Sequence, residues 1–485
     1  MSARYSIIGR TGRKLAAAAA IGGTLVFSAP FVPLVAQQSG AAQAQSIDGG
    51  GRARMNLAGR LMVLGQTVAA AACMMDAGYN MQHERDVLEE AHEDFTRLLW
   101  ALEHGDMTLG IPTPEHKSAA VVAIREIHEI WEPMDASAIA MLEGDHPHEH
   151  ALAIAEANQA LLEKTELLAS IIINEYADPF EVLLTDALAI SLAERQEMFA
   201  EKLKREACEI GGGHADPAVI EDFKATIAMF GNTLTALHDG YPAAGIRPPP
   251  NDAIKHHLEQ AMEEWTAAQP VMQAILDSAG ATEAQMTELC KAAEGLDHRM
   301  HGVVIEYLLS VPGANDMLTG PLTTYADEVL RAWVTEPVMI DAIRAHNAAS
   351  AGYDQATMAA METRWEAELA AGSGPMMEEM ETHPASVRLH ELQAGTSDIV
   401  TEAFIMDLRG LNVAESEPTH EFWHIDQERW KNVIEGTSKG IYISEVHVEK
   451  DSETYQAQVS IPISDPDTLQ VIGVATFGVN VQSMF

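Results

Sequence analysis

Positive charge is scarce in this chain: 30 Lys and Arg stand against 72 Asp and Glu, a formal net charge of −42. That balance argues against nucleic acid, whose phosphates need a basic face, and against docking on an anionic membrane. The surplus acid reads as a solubilising shell. After Ser46 no apolar run approaches the length that spans a bilayer. A Gly-rich phosphate loop, a nucleophile elbow and a paired Cys-x-x-Cys are also missing, which favours a binding protein over an enzyme and asks for no cofactor. Cysteine is rare, with only Cys73, Cys208 and Cys290. Two of these are equivalent positions of an internal repeat, so each is expected inside its own helical unit as a small buried residue, not in a disulfide.

What is present begins with a targeting pattern. Arg4, Arg10, Arg13 and Lys14 precede an apolar run from Leu15 to Val35, and Ala42-Gln43-Ala44 supplies small residues for cleavage. Residues 1–44 are therefore expected to be a signal peptide and the mature chain to be periplasmic. An uncleaved membrane anchor is the alternative.

The stretch Asn56–Cys73 occurs twice. Leu57, Ala58, Arg60, Ala72 and Cys73 return at Leu192, Ala193, Arg195, Ala207 and Cys208, an offset of 135 residues. Leu57, Leu61, Leu64, Val68, Ala71 and Met75 step by four and three, which places one apolar stripe along a helix. The offset persists downstream: Phe95, Leu99, Gly105, Gly110 and Pro114 return at Phe230, Leu234, Gly240, Gly245 and Pro249. A tandem duplication of roughly 130 residues follows, each copy reading as four helices joined by short turns. The expected units are residues 50–178 and 180–310, each an antiparallel four-helix bundle.

Beyond Pro312 the pattern changes. Residues 320–371 read as a long helical stretch with a kink at Pro337. Strands are expected at Ala403–Met406, Gly440–Val448, Thr454–Ile463 and Val471–Val481, interrupted by a helix at Asp426–Ile434. Residues 320–485 thus read as an α+β module with a long N-terminal helix. No output module is read after it, so whatever is sensed is expected to be reported through a membrane-bound partner.

The duplicated helix resembles the N-terminal domain of type IV pili methyl-accepting chemotaxis transducers (PilJ-type), shared with nitrate/nitrite sensor kinases. Asn56, Gly59, Arg60 and Gln66 carry the resemblance in the first copy, and Arg195 and Gln196 with Met198 in the second. It implies helical bundles, often dimeric, which in the nitrate sensors clasp a small anion. The family's anion-binding arginine is replaced here by Met62 and by Glu197, and Gly59 is itself replaced by Glu194 in the second copy. Nitrate binding in the family's manner is therefore expected to be absent. Arg52, Arg54, Arg60 and Arg195 read mainly as solvated helix-surface residues.

The C-terminal part resembles the Cache family of PAS-like sensor domains, through Phe404–Ala414, Phe422-Trp423, Trp430, Ser460–Ile463 and Val471–Val474. The resemblance implies capture of a small organic ligand between sheet and covering helix. Trp423, Trp430, Tyr442, Tyr455, Asp426 and Arg388 are the residues expected to line that pocket, aromatic walls with a few polar groups.

Two histidine motifs compete. His420-Glu421-Phe422-Trp423-His424 matches His-Glu-x-x-His, in which two imidazoles one helical turn apart bind zinc and Glu activates water. Pro418 upstream and the missing third ligand speak against a zinc metallopeptidase, which stays as an alternative beside a non-catalytic scaffold with vestigial pockets. Asp145–His150 gathers His146, His148 and His150, a weak candidate metal site, since a polar interhelix loop has the same composition. The combined reading is an exported sensory protein, mainly α with a C-terminal α+β domain. It would take a small-molecule ligand, signal through a membrane partner and be compatible with a homodimer.

Overall fold

The computed structural model describes residues 50–144, 147–176, 184–211, 217–310, 314–396, 399–436, 440–449 and 454–481; the expected signal peptide and His146 lie outside them. Over these residues the chain is mainly helical, with a small antiparallel sheet at its C-terminal end.

The first copy supplies α1 (Gly51–Ala77), α2 (Met81–His104), α3 (Ser118–Glu143) and α4 (Pro147–Tyr176), and the second α5 (Leu184–Gly211), α6 (Pro217–Asp239), α7 (Asp252–Ser278) and α8 (Glu283–Ser310). Each quartet closes in the same way: its first helix packs on its second and fourth, and its third on its fourth. The cores repeat as well. Phe95 stacks on Trp131 with ring centroids 3.9 Å apart, and Phe230 on Trp265 at 4.3 Å. Past the second helix of each quartet the chain turns through a one-residue bridge, Asp106 to Ile111 and Tyr241 to Ile246. Gly110 (φ 73°) and Gly245 (φ 81°) hold the left-handed position that each turn needs, where a Cβ is strained.

The quartets join through their first helices. α1 is long and apolar enough to cross a membrane by composition, yet 72% of that window is buried, because α2, α4 and α5 all pack on it. Equivalent residues meet at two places along the α1–α5 seam. The Glu194 carboxylate occupies the space where a Cβ on Gly59 would sit, and Cys73 is disulfide-bonded to Cys208. Two helices that bring equivalent positions together so far apart must run parallel and in register about a local two-fold axis. This overturns the expectation of two separately buried cysteines. The repeat equivalence that argued against pairing is what brings the sulfurs together once the axis runs between the helices. Cys290 remains a buried free thiol.

Arg52 and Arg54 are not solvated surface residues either. Arg54 is fully buried and donates to the carbonyls of Leu102 and Thr113 and to Glu115 at 3.2 Å. Glu115 also accepts from the Tyr176 hydroxyl at 2.7 Å, so one ion pair ties together both ends of the first quartet.

The expected long helix is instead a series of shorter ones: α9 (Ala314–Tyr325), running through a π turn into α10 (Arg331–Val334), then α11 (Pro337–Ser350), α12 (Gln355–Ala371), α13 (Pro375–Glu381) and α14 (Pro384–Ala394). Pro337 opens α11 at its first turn and does not kink a continuous helix, because a missing N–H costs nothing there. Pro375 and Pro384 start their helices in the same way.

The sheet contains β1 (Val400–Asp407), β2 (Asn412–Glu415), β3 (Tyr442–Ile443), β4 (His447–Glu449), β5 (Thr454–Ser464) and β6 (Val471–Asn480), with α15 (Glu428–Ile434) between β2 and β3. Its order is β2-β1-β6-β5-β3, with β4 also on β5, and every pairing is antiparallel. The strand expected over 440–448 is split at Ser444, whose hydroxyl accepts the Gln458 N–H and so interrupts the ladder. Alternation along β5 assigns its faces. Tyr455, Ala457, Val459 and Ile461 join the core shared with the helices, whereas Gln456 and Gln458 point to the other side.

Candidate functional site

On that second face the sheet and the β2–α15 connection enclose a cavity of about 380 Å³. Its floor is Thr401 and Glu402 of β1 with Gln456 and Gln458 of β5, and His447 of β4 closes one side. The cover is the segment Glu417–His424, with Arg429 from α15. Three glutamates and two glutamines line it beside three histidines and Arg429, so the walls present both hydrogen-bond acceptors and donors.

The cover is held by side-chain hydrogen bonds in place of secondary structure. The Asn412 amide donates to Glu415 at 2.9 Å and to the Thr419 hydroxyl at 2.6 Å, and its oxygen lies 3.0 Å from His424 Nε2. The Trp365 indole donates to the Thr419 carbonyl at 2.8 Å. Glu362 on α12 accepts the N–H groups of Phe422 and Trp423 at 2.9 and 2.7 Å. The His420–His424 segment is consequently irregular and non-helical, and a bridge from Trp423 to Leu411 fixes it. No helical turn places the two imidazoles on one face, the arrangement the peptidase motif uses. Among the described residues no group of three or more His, Cys, Asp or Glu has the spacing to hold a metal ion.

Electrostatics follow from this burial. Burial pushes the Glu415 carboxyl up to about 7, against the hydrogen bonds it accepts from Thr419 and Asn412. His424 is held below the ordinary imidazole range, by burial first and then by the nearby Arg429, despite Glu421 at 3.5 Å. Its ring stacks on Phe404 with centroids 5.1 Å apart, and its buried Nδ1 has no hydrogen-bond partner. Glu421 sits below the usual carboxylate range through its contact with His424 and the charge of Arg429, 3.7 Å away.

None of the six residues expected to line the pocket borders this cavity. Trp430 is buried against Phe404, Met406 and Val474, and its indole donates to the Asp407 carbonyl at 3.1 Å. Trp423 is half-buried and donates to the Arg409 carbonyl at 2.9 Å. The Tyr442 hydroxyl donates to Glu428. Tyr455 lies on the opposite face, donating to Glu306 of α8 at 3.0 Å, with His257 Nε2 also 3.0 Å away. Asp426 is exposed, and Arg388 forms a two-pronged ion pair with Glu336. The cavity is built from residues that sequence reasoning weighed for zinc (His420, Glu421, His424) or passed over. Gln456, Gln458 and Ser460, polar at alternate positions opposite Tyr455, Ala457, Val459 and Ile461, were the legible signal for the floor.

The repeat residues sit elsewhere. Gln66 donates to Asn158 at 2.9 Å, and Arg195 pairs with Glu166 at 3.4 Å. Asn56 and Gln196 are buried in the helical core, and Arg60 borders a second cavity. His148 sits 2.8 Å from Asp76 at the surface. The Asp407 carboxylate, fully buried at the β1–β2 turn, accepts from Ser350 at 2.7 Å and from the Leu411 N–H at 3.0 Å.

No curated protein matches the chain. Residues 180–289, from the approach to α5 into the first turns of α8, match the family model described as "Type IV pili methyl-accepting chemotaxis transducer N-term", which makes this stretch similar to a transducer's sensory domain.

Proposed function

We propose that this protein is an exported sensory protein that captures a small polar molecule in the cavity over β1 and β5 and signals through a membrane-bound partner. In this reading residues 1–44 are a cleaved signal peptide, residues 50–178 and 180–310 are two transducer-type four-helix bundles, and residues 320–485 are a Cache-type receptor. The protein binds its ligand and does not transform it. The observation that carries the reading is the 380 Å³ cavity itself, with Glu402, Gln456 and Gln458 as a floor of hydrogen-bonding groups. Such a floor suits a small polar ligand that both donates and accepts hydrogen bonds. Two further features support the wider reading: the family match over 180–289, and a disulfide of the kind oxidising compartments maintain. Gln456 faces the cavity while its neighbour Tyr455 reaches Glu306 on α8, so the sheet offers a direct mechanical route to the second quartet.

The test is a calorimetric screen of the purified chain against amino acids, amines, amides and carboxylates. A hit that Gln456→Leu abolishes, with the melting temperature unchanged, supports the receptor. Peptide hydrolysis that depends on added zinc and is lost in Glu421→Gln would replace it with a peptidase, and silence across the screen would favour the scaffold.

A further inference from the structure

A second cavity, about 320 Å³, opens beside the α1–α5 seam, far in sequence from the sheet. It is lined by Arg60, Val63 and Leu64 of α1, Glu197 of α5, and Asp297, His298 and His301 of α8. Glu197 is only 4% exposed, and its Oε1 is buried with no hydrogen-bond partner. The nearest cationic candidate, His301 Nδ1, is 3.7 Å away, beyond hydrogen-bond reach. Asp297 contributes a second buried oxygen, Oδ1, that likewise has no partner. A carboxyl oxygen withdrawn from water without a hydrogen-bond partner is costly, and two of them bordering one open space constitute an unfilled demand for N–H groups.

We infer that this cavity is a binding site for a small molecule bearing a primary ammonium group, held between Glu197 and Asp297. Three N–H donors on one nitrogen can serve both orphaned oxygens at once, a demand that a planar anion such as nitrate cannot meet. Arg60 borders the cavity from α1 but does not fill the role: no salt bridge joins it to either acid. Its guanidinium instead leaves room for a ligand whose other end carries an acceptor. The site belongs to the seam and does not depend on the receptor reading of the C-terminal cavity.

The groups facing the site account for its protonation. Burial, offset in part by Arg60, pushes Glu197 up to about 8. Asp297 is pushed up to about 7 by burial and by Glu197 and Glu201, against His301 and Arg60. Burial and Arg60 drive His301 down to about 4, so its imidazole is neutral. Glu194 stands above its normal range through burial and Glu197. An arriving ammonium therefore ionises carboxyls that hold protons in the empty site, and binding releases protons.

The experiment is titration calorimetry on the full chain at pH 7.0, in two buffers of different ionisation enthalpy. The probes are ethylamine, 1,4-diaminobutane, alanine and sodium nitrate. Binding of at least one amine-bearing probe with proton release is expected. Glu197→Gln should weaken it at least tenfold, whereas Glu402→Gln in the C-terminal cavity should leave it unchanged. Glu197→Gln keeps the side chain's shape and is neutral like the protonated carboxyl it replaces, so the fold is expected to be retained, with circular dichroism as the control. Nitrate binding without amine binding, no amine binding at all, or amine binding indifferent to Glu197→Gln each overturns the inference. Loss of amine binding in Glu402→Gln alone would place those amines in the C-terminal cavity and also refute it.

Discussion

Cutting the Cys73–Cys208 link is the most direct perturbation of the shared seam. The bond closes a loop spanning 135 residues of sequence, which takes in most of the first quartet and nearly all of α5. Closing a loop of that size removes denatured-chain entropy worth about 5 kcal/mol by the chain-entropy relation, and removal of native disulfides costs about 2–5 kcal/mol. The lower half of that range is expected here, because α1 and α5 remain packed against each other through Gly59 and Glu194 when the bond is absent. The variant is Cys73→Ala with Cys208→Ala, compared with the oxidised chain and the oxidised chain plus reductant, by urea unfolding. The denaturation midpoint should fall in the variant and in the reduced chain by similar amounts. Thiol titration in denaturant gives a second readout: the oxidised chain should show Cys290 alone, and the reduced chain all three cysteines. Three thiols in the untreated protein recovered from an oxidising compartment would refute the parallel in-register seam, since that geometry is what holds the sulfurs together.

Four further outcomes follow from the packing. Glu197, with a folded-state value of about 8 against an ordinary 4.5, keeps its proton in the native chain while the unfolded chain loses it. Stability should therefore fall as pH rises through that window and level off above it. Glu197→Gln should gain a few kcal/mol at pH 8 and little at pH 4.5, and parallel urea curves at the two pH values would contradict this. Asp407 has the opposite sign. Burial raises it, but His346, Ser350 and the Leu411 N–H outweigh burial, so its contribution is present above the unfolded value and lost in acid. Asp407→Asn should cost about 2 kcal/mol at neutral pH and less at pH 3, read by thermal melts. Gly110→Ala and Gly245→Ala should each cost about 1–2 kcal/mol, because both force a Cβ into the left-handed region, and unequal effects would show that the two turns are not equivalent. Tyr455→Phe should loosen the sheet from α8, raising amide exchange in α8 near Glu306 and leaving that of α3 unchanged.

Much of the helical layout was legible because period and punctuation agree. The apolar stripe from Leu57 to Met75, the Gly105 and Gly240 stops and the 135-residue offset put the eight long helices close to where they lie. What could not be read was which surfaces the stripes meet. α1 is buried on more sides than one stripe requires, so a reading by single faces placed Arg52 and Arg54 outside and left the cysteines apart. The helices before the sheet were fused into one because a proline at a helix start and a proline kink look alike in sequence. The cavity over the sheet was missed for a related reason. Aromatic residues attract attention as pocket walls, yet Trp430 and Tyr455 serve packing. The cavity is instead lined by Gln456, Gln458 and an irregular segment whose shape depends on side-chain bonds from Asn412 and from Glu362, the latter 60 residues away in sequence.

The seam between the first helices has a consequence of its own. Along α5 the residues Glu194, Glu197 and Glu201 form one acidic row, and their counterparts on α1 are Gly59, Met62 and Gln66. A pair of identical subunits meeting on this axis would set acid against acid at every step. With both halves on one polypeptide, each could change without the other. A single-chain pair can thus carry one acidic lip and one without acids, an asymmetry that symmetry forbids to two equal copies.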